Sequence, residues 1–204
     1  LNLGRKADAA TAAKLVPSGF AFNATYSTAN PRRQNRVFLN NQQNRYVTFP
    51  AEYRGLTIGG VADTRVRIDG PTGLGQDART PFYTQAKYPG ANSPIPIATW
   101  REAQLIVAEA ELGQSAVDRI NALRDLARLP RYAPTNVADN QAVLAQVIEE
   151  RRRELFLEGH RLSDMLRFRI SFPSGLNHLG EPYGPTTCLP LPDGEYNGNS
   201  NLTR

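Results

Sequence analysis

Cysteine is almost missing: Cys188 is the only one in 204 residues. No intrachain disulfide can form, and no paired-cysteine metal spacing exists. A lone cysteine in an apolar setting acts as a small hydrophobe, so Cys188 is not assigned as a nucleophile. Histidine is scarce as well. His160 and His178 are the only two, and neither has partners spaced for a zinc site or a nucleophile–base triad. His160 is instead expected in a helix-end network. No run of eighteen apolar residues occurs, so no segment spans a membrane as a helix. The opening LNLGRKADAATAAKL has no signal-peptide hydrophobic region and no lipidation cysteine. Long runs of one charge are absent too. The formal net charge is +5, yet basic residues from Arg5 to Arg204 are interleaved with acids. That pattern reads as a solvated mixed surface rather than a nucleic-acid footprint.

What is present suits a soluble globular protein: 40% hydrophobic and 21% charged residues. Glycine (16) and proline (15) are plentiful, which predicts long irregular connections. Three regions follow from the patterning. Residues 1–98 read as loop-rich, with a short helix over 7–16 and extended candidates at Phe20–Phe22, Val37–Leu39, Tyr46–Phe49 and Val66–Ile68. DGPTGLGQD (69–77) reads as a surface loop, since its Gly73-x-Gly75 lacks the strand and Gly-Lys of a phosphate cradle. Residues 99–170 read as helical, and 171–204 return to loop. Asn23-Ala-Thr25 and Asn201-Leu-Thr203 match the glycosylation triplet, a match common by chance.

The helical region has recognisable starts. Thr99-Trp100-Arg101-Glu102 has capping-box spacing, and the helix behind it is apolar on two sides, so it packs between neighbours. Ser115 is placed as the cap of a second helix, and Asp139 as the cap of a third that runs to Gly159. A short fourth helix over 161–169 carries Leu162, Met165 and Leu166 at core spacing. The short link between the first two implies an antiparallel, tetratricopeptide-type hairpin. Such arrays need about three units for stability, more than this region supplies.

EERRRELFLEGHR (149–161) is the densest charge run. At about 100° per residue, Arg151 falls in the centre of the apolar face set by Val143, Val147, Leu144 and Leu155. Glu154 and Glu158 share the inner side, while Arg152 and Arg153 fall at its edge or outside. An inward arginine must be paired. Glu154, three residues on, and Glu102 and Glu109 of the first helix are the expected partners of Arg151. Glu158–Arg161 and Arg161–Asp164 continue a ladder of ion pairs. Read as catalysis, Glu154 and Glu158 would be an acid/base pair, but interleaved arginines hold both ionised. The ladder is therefore read as structural, with loss of Arg151 costly and loss of Arg153 near neutral.

Five stretches in order resemble the SusD/RagB family of outer-membrane glycan-capture lipoproteins: RYVTFPAEYRGLTIGGVADTRV (45–66), KYPGANSPIPIATWREAQLIVAEAEL (87–112), AVDRINALRDLARLP (116–130), IEERRRELFLEGHRLSDMLRF (148–168) and LPLPDGEYNGNSNLT (189–203). The resemblance implies a mainly α, SusD-like fold with long irregular loops, few short strands and helical hairpins. It makes Glu150, Arg151, Glu154, Glu158, Gly159, Arg161, Asp164 and Arg167 framework residues rather than catalytic ones. The chain resembles the C-terminal half of such proteins, so regions 1–98, 99–170 and 171–204 would be parts of one domain. Leu162 and Ser163 stand where the family has bulky aromatics. The resemblance further implies a non-catalytic cell-surface subunit without cofactor or metal, anchored to the outer membrane through a lipidated N-terminus outside this chain. It would hand oligosaccharide or peptide to a SusC-type, TonB-dependent transporter, and could also contact the N-terminal half. The alternative is a scaffold within a larger extracellular assembly. Sugar capture uses aromatic faces and planar polar side chains. The candidates are Tyr83, Tyr88, Trp100, Tyr132 and Tyr183, with the Asn-rich NNQQN (40–44).

Overall fold

The computed structural model describes residues 1, 3–186, 192, 194 and 197. Cys188, the Asn201 triplet and nearly all of the 189–203 stretch lie outside the described residues. The chain is mainly helical, with long loops and, among the described residues, three two-stranded antiparallel sheets. No helix among the described residues is long and apolar enough to cross a membrane.

Helix α1 (Lys6–Lys14) buries only small residues. Ala13 meets Ala103 and Val107 of α3 (Trp100–Glu111), so the two backbones approach closely. Strand β1 (Ala21–Ala24) pairs with β6 (Ile95–Thr99), which runs directly into α3. Thr99 caps α3, its hydroxyl accepting from the Glu102 N–H at 3.0 Å. Helix α4 (Gly113–Leu126) follows α3 after Leu112 alone. The reversal needs positive φ at both Leu112 (+55°) and Gly113 (+54°). Glycine supplies the second at no steric cost. Ser115 is therefore not a cap: it sits inside α4, where its hydroxyl donates to Glu111 at 2.5 Å.

The hairpin is antiparallel: Leu105 packs with Leu123, and Ala108 with Ala116 and Ile120. Helix α5 (Asn140–Glu154), capped by Asp139 as expected, closes the layer with Val143 and Val147. It stops at Glu154 rather than Gly159. The chain turns there so that Phe156 can pack on Phe49 and Val66. Loop residues hold that end. Lys87 Nζ donates to the Phe156 carbonyl at 2.7 Å, and Tyr88 Oη to that of Leu157 at 3.2 Å. Carbonyls left over at a helix end thus find their donors. Helix α6 (Arg161–Phe168) packs inward through Asp164, while Leu166 is 53% exposed, against its expected core role.

Two extended candidates are not strands. Val37–Leu39 lies in α2 (Arg36–Phe38) and the π turn after it, because Asn35 caps this start by accepting from the Phe38 N–H at 3.1 Å. Tyr46–Phe49 has no regular structure and pairs with no strand among the described residues; Asn41 Nδ2 donates to the Val47 carbonyl at 2.8 Å. Val66 lies in a 3-10 turn, and Ile68 begins β4 (Ile68–Asp69), which pairs with β5 (Thr84–Gln85). A further hairpin, β2 (Thr57–Ile58) with β3 (Val61–Ala62), turns on Gly59 and Gly60, both at positive φ. Two central residues at positive φ define the tight hairpin turn, and Gly-Gly adopts it freely.

Candidate functional site

The hairpin aims Asp63-Thr64-Arg65 at the inner face of α5. Arg65 forks onto Asp63 (2.9 and 2.8 Å) and reaches Glu150 (2.8 Å) and Glu154 (3.1 Å) through Nη1. Its side chain is 6% exposed. Glu150 also accepts from Arg124 Nε at 2.7 Å and Gln146 at 3.0 Å. Glu154 accepts from Arg101 at 2.7 Å. Burial pushes the Asp63 carboxyl up, but donation and charge from Arg65 outweigh it and hold it below the usual range. The same neighbours keep Arg65 protonated despite its burial.

Arg151 faces inward, as its helix phase requires, but its partner is Asp164 on α6. Nε and Nη2 each donate at 2.9 Å. Glu154 is taken by Arg65 and Arg101, and Glu109 by Arg167, which also donates to Asp164 at 2.9 Å. Glu102 meets His160 at 3.7 Å. The expected Glu158–Arg161 and Arg161–Asp164 pairs do not form among the described residues. Glu158 pairs with Lys87 at 2.5 Å instead, because the turn after α5 breaks the helical spacing. Burial pushes the Glu158 carboxyl above its ordinary value, and Lys87 only partly offsets this. Arg153 is not solvated: it is 12% exposed and bonds Glu149 (2.6 Å) and Asp63 (3.3 Å). Arg152 forks onto Glu149 at 2.7 Å and lies over the Tyr53 ring. Residues 49–66 cover the face of α5 that a lone helix would show to water.

The proposed ligand aromatics do not converge. Tyr88 is 2% exposed and serves the end of α5, so it has no face for a ligand. Tyr83 is stacked by the Arg54 guanidinium at 3.6 Å. Tyr132 packs on the α3–α5 core, with its backbone clamped by Asn121 at 2.7 and 3.0 Å. Tyr183 is exposed on the 175–183 turn. Asn41 and Gln42 of the Asn-rich stretch are spent on the backbone of residues 47, 83 and 85.

Trp100 differs. It stands on a cleft of about 530 Å³ bounded by Phe20, Thr64, Arg65, Lys87, Thr99, Arg101, Leu126, Leu155, Glu154 and Glu158. Trp100 also packs on Leu105, Leu123 and Leu155 and is partly buried. Trp100 and Phe20 supply aromatic surface; Arg101 and Thr64 supply donors, while Lys87 is spent on Glu158 and on backbone carbonyls. A larger cavity of about 760 Å³ lies between α1, α3 and α6. Its walls mix aliphatic residues with charged and polar ones, it holds no tryptophan or tyrosine, and its Arg151 and Asp164 are already paired to each other. The Trp100 cleft therefore fits a flat polar ring better. Sequence reasoning missed Asp63, Arg65, Arg101, Lys87 and Arg124. The Gly59-Gly60 dipeptide between two short apolar pairs was the local signal for the first two.

The SusD family model matches residues 18–204. The fold is similar to the crystal structure of a SusD superfamily protein from Parabacteroides distasonis, with a TM-score of 0.58 and 20% sequence identity, covering 90% of this chain and 49% of that one. The chain thus spans about half the length of that relative. No curated protein matches the sequence. With the family motifs in order and the family model matched from residue 18 to 204, the chain belongs to the SusD/RagB family.

Proposed function

We propose that this chain is a non-catalytic binding subunit of a SusC/SusD-type nutrient uptake system, in which the three regions 1–98, 99–170 and 171–204 act as one unit. It captures oligosaccharide in the Trp100 cleft at the outer face of the outer membrane and passes it to a TonB-dependent transporter. The observation that carries this reading is the cleft itself, which Trp100 lines together with the half-exposed Arg101 and the Lys87–Glu158 pair. Stacking on a ring face with flanking planar donors is the chemistry of sugar recognition. The carboxylates serve structure rather than turnover. Glu154 holds two arginines, so it is a poor nucleophile or base. Glu158 alone has an acid-like environment, and it is bonded to Lys87.

The test is calorimetric binding to an oligosaccharide panel with the parent and Trp100→Phe. Saturable binding weakened by the substitution, without product formation, supports capture. Hydrolysis lost in Glu158→Gln would replace capture with catalysis. A second reading, a scaffold in an extracellular assembly, is favoured by Phe22 and Ile97, which expose apolar side chains from the paired strands β1 and β6. Stable co-purification with another chain and no sugar binding would support it.

A further inference from the structure

The charges beneath the Trp100 cleft do not balance. Five cations (Arg65, Arg101, Arg124, Arg152 and Arg153) join four carboxylates (Asp63, Glu149, Glu150 and Glu154) in one contiguous network, which leaves one positive charge over. Arg101 is the most exposed of the five, at 43%, so the excess reaches solvent there. Among the described residues only Glu154 accepts from its side chain, through Nη1. The Nε–Nη2 edge makes no hydrogen bond among the described residues. That edge is the fork that Arg151 and Arg152 use to hold Asp164 and Glu149 with two parallel bonds. A guanidinium fork matches a planar carboxylate in geometry as well as charge. Arg101 follows Trp100 in the first turn of α3, where the helix dipole adds a further positive field.

Resting on the capture reading, we propose that this cleft selects carboxylate-bearing sugars: a uronate ring lies against Trp100 while its carboxylate meets the open edge of Arg101. Glu158, which also lines the cleft, is paired with Lys87 at 2.5 Å, so its charge is compensated there.

The test compares oligogalacturonate with its methyl ester, which keeps the ring and removes the charge, by calorimetry at low and high salt. The acid form is expected to bind about tenfold more tightly at low salt, as one charge-assisted contact implies. The advantage shrinks as salt rises. Arg101→Gln should bring the acid-to-ester ratio close to one. Arg101→Lys, which keeps the charge and loses the fork, should give an intermediate ratio. Unfolding midpoints of both variants check that the fold persists. If the ester binds as tightly as the acid, the anion preference is wrong and capture stands. An acid preference untouched by Arg101→Gln also refutes the assignment. If neither form nor any neutral oligosaccharide binds, the capture reading itself fails.

Discussion

Replacing Arg65 by alanine is the sharpest structural perturbation. The substitution removes a nearly buried guanidinium that bonds Asp63, Glu150 and Glu154, all of them buried. Breaking a buried pair by deleting one partner costs about 3–5 kcal/mol, because the other charge is left uncompensated. Each of the three carboxylates keeps one cation: Arg153 for Asp63, Arg124 for Glu150 and Arg101 for Glu154. The loss should therefore fall at the lower end, about 3 kcal/mol. With a urea m-value of about 2 kcal/mol per molar for a chain of this size, the midpoint drops by about 1.5 M. Equilibrium urea unfolding at pH 7, followed by circular dichroism, measures it. The double variant Asp63→Ala/Arg65→Ala should recover part of the loss, since it removes a buried carboxylate left with Arg153 alone, at 3.3 Å. A shift below about 0.5 M for Arg65→Ala would mean that the network is solvated and does not anchor the 57–66 hairpin to α5.

Three further outcomes follow from the same contacts. Arg151→Ala and Arg153→Ala should both destabilise in urea, by about 3 and about 1–2 kcal/mol, since Arg151 is fully buried in its fork and Arg153 bridges Glu149 and Asp63; a neutral Arg153→Ala would show that the loops do not cover α5. Lys87→Met should fray the end of α5, seen as faster amide exchange at residues 154–158, with exchange in 143–147 unchanged. Asp63 and Glu149 have lowered pKa values. In both, burial raises the value and arginine bonds more than cancel it, so their contribution is fully present above pH of about 4.3 and is lost as pH falls through the folded values. Glu158, with a raised value, acts in the opposite sense: its contribution is present below about pH 4.3 and is lost as pH rises through its folded value. Hence Asp63→Asn should flatten the acid limb of the stability–pH curve, and Glu158→Gln should gain on the parent as pH rises above about 4.3.

Much of the helical layer was legible because it is local. Thr99 and Asp139 cap as their spacing requires, and a one-residue helical phase placed Arg151 inside. The partners were not legible. Glu154 and Arg151 are three apart on one helix, yet each is taken by a group from another element, Arg65 and Asp164. Helical spacing also fails past Glu154, where Phe156 leaves the helix to reach Phe49, and this redirects Glu158 to Lys87. Arg153 read as solvated because α5 was treated as having one covered side, whereas residues 49–66 cover the other. Among the aromatics, residue type could not separate a structural clamp such as Tyr88 from a cleft wall such as Trp100. Only burial and hydrogen bonding divide them.

Trp100 is the sole tryptophan, so the selectively excited tryptophan emission of the protein reports from the cleft alone. The most direct measurement is a titration of that emission with oligosaccharides. The account predicts a saturable change in intensity or wavelength, abolished by unfolding and absent with glycerol at equal concentration. Binding detected by calorimetry while the emission stays flat would contradict it, because the ligand would then sit away from Trp100.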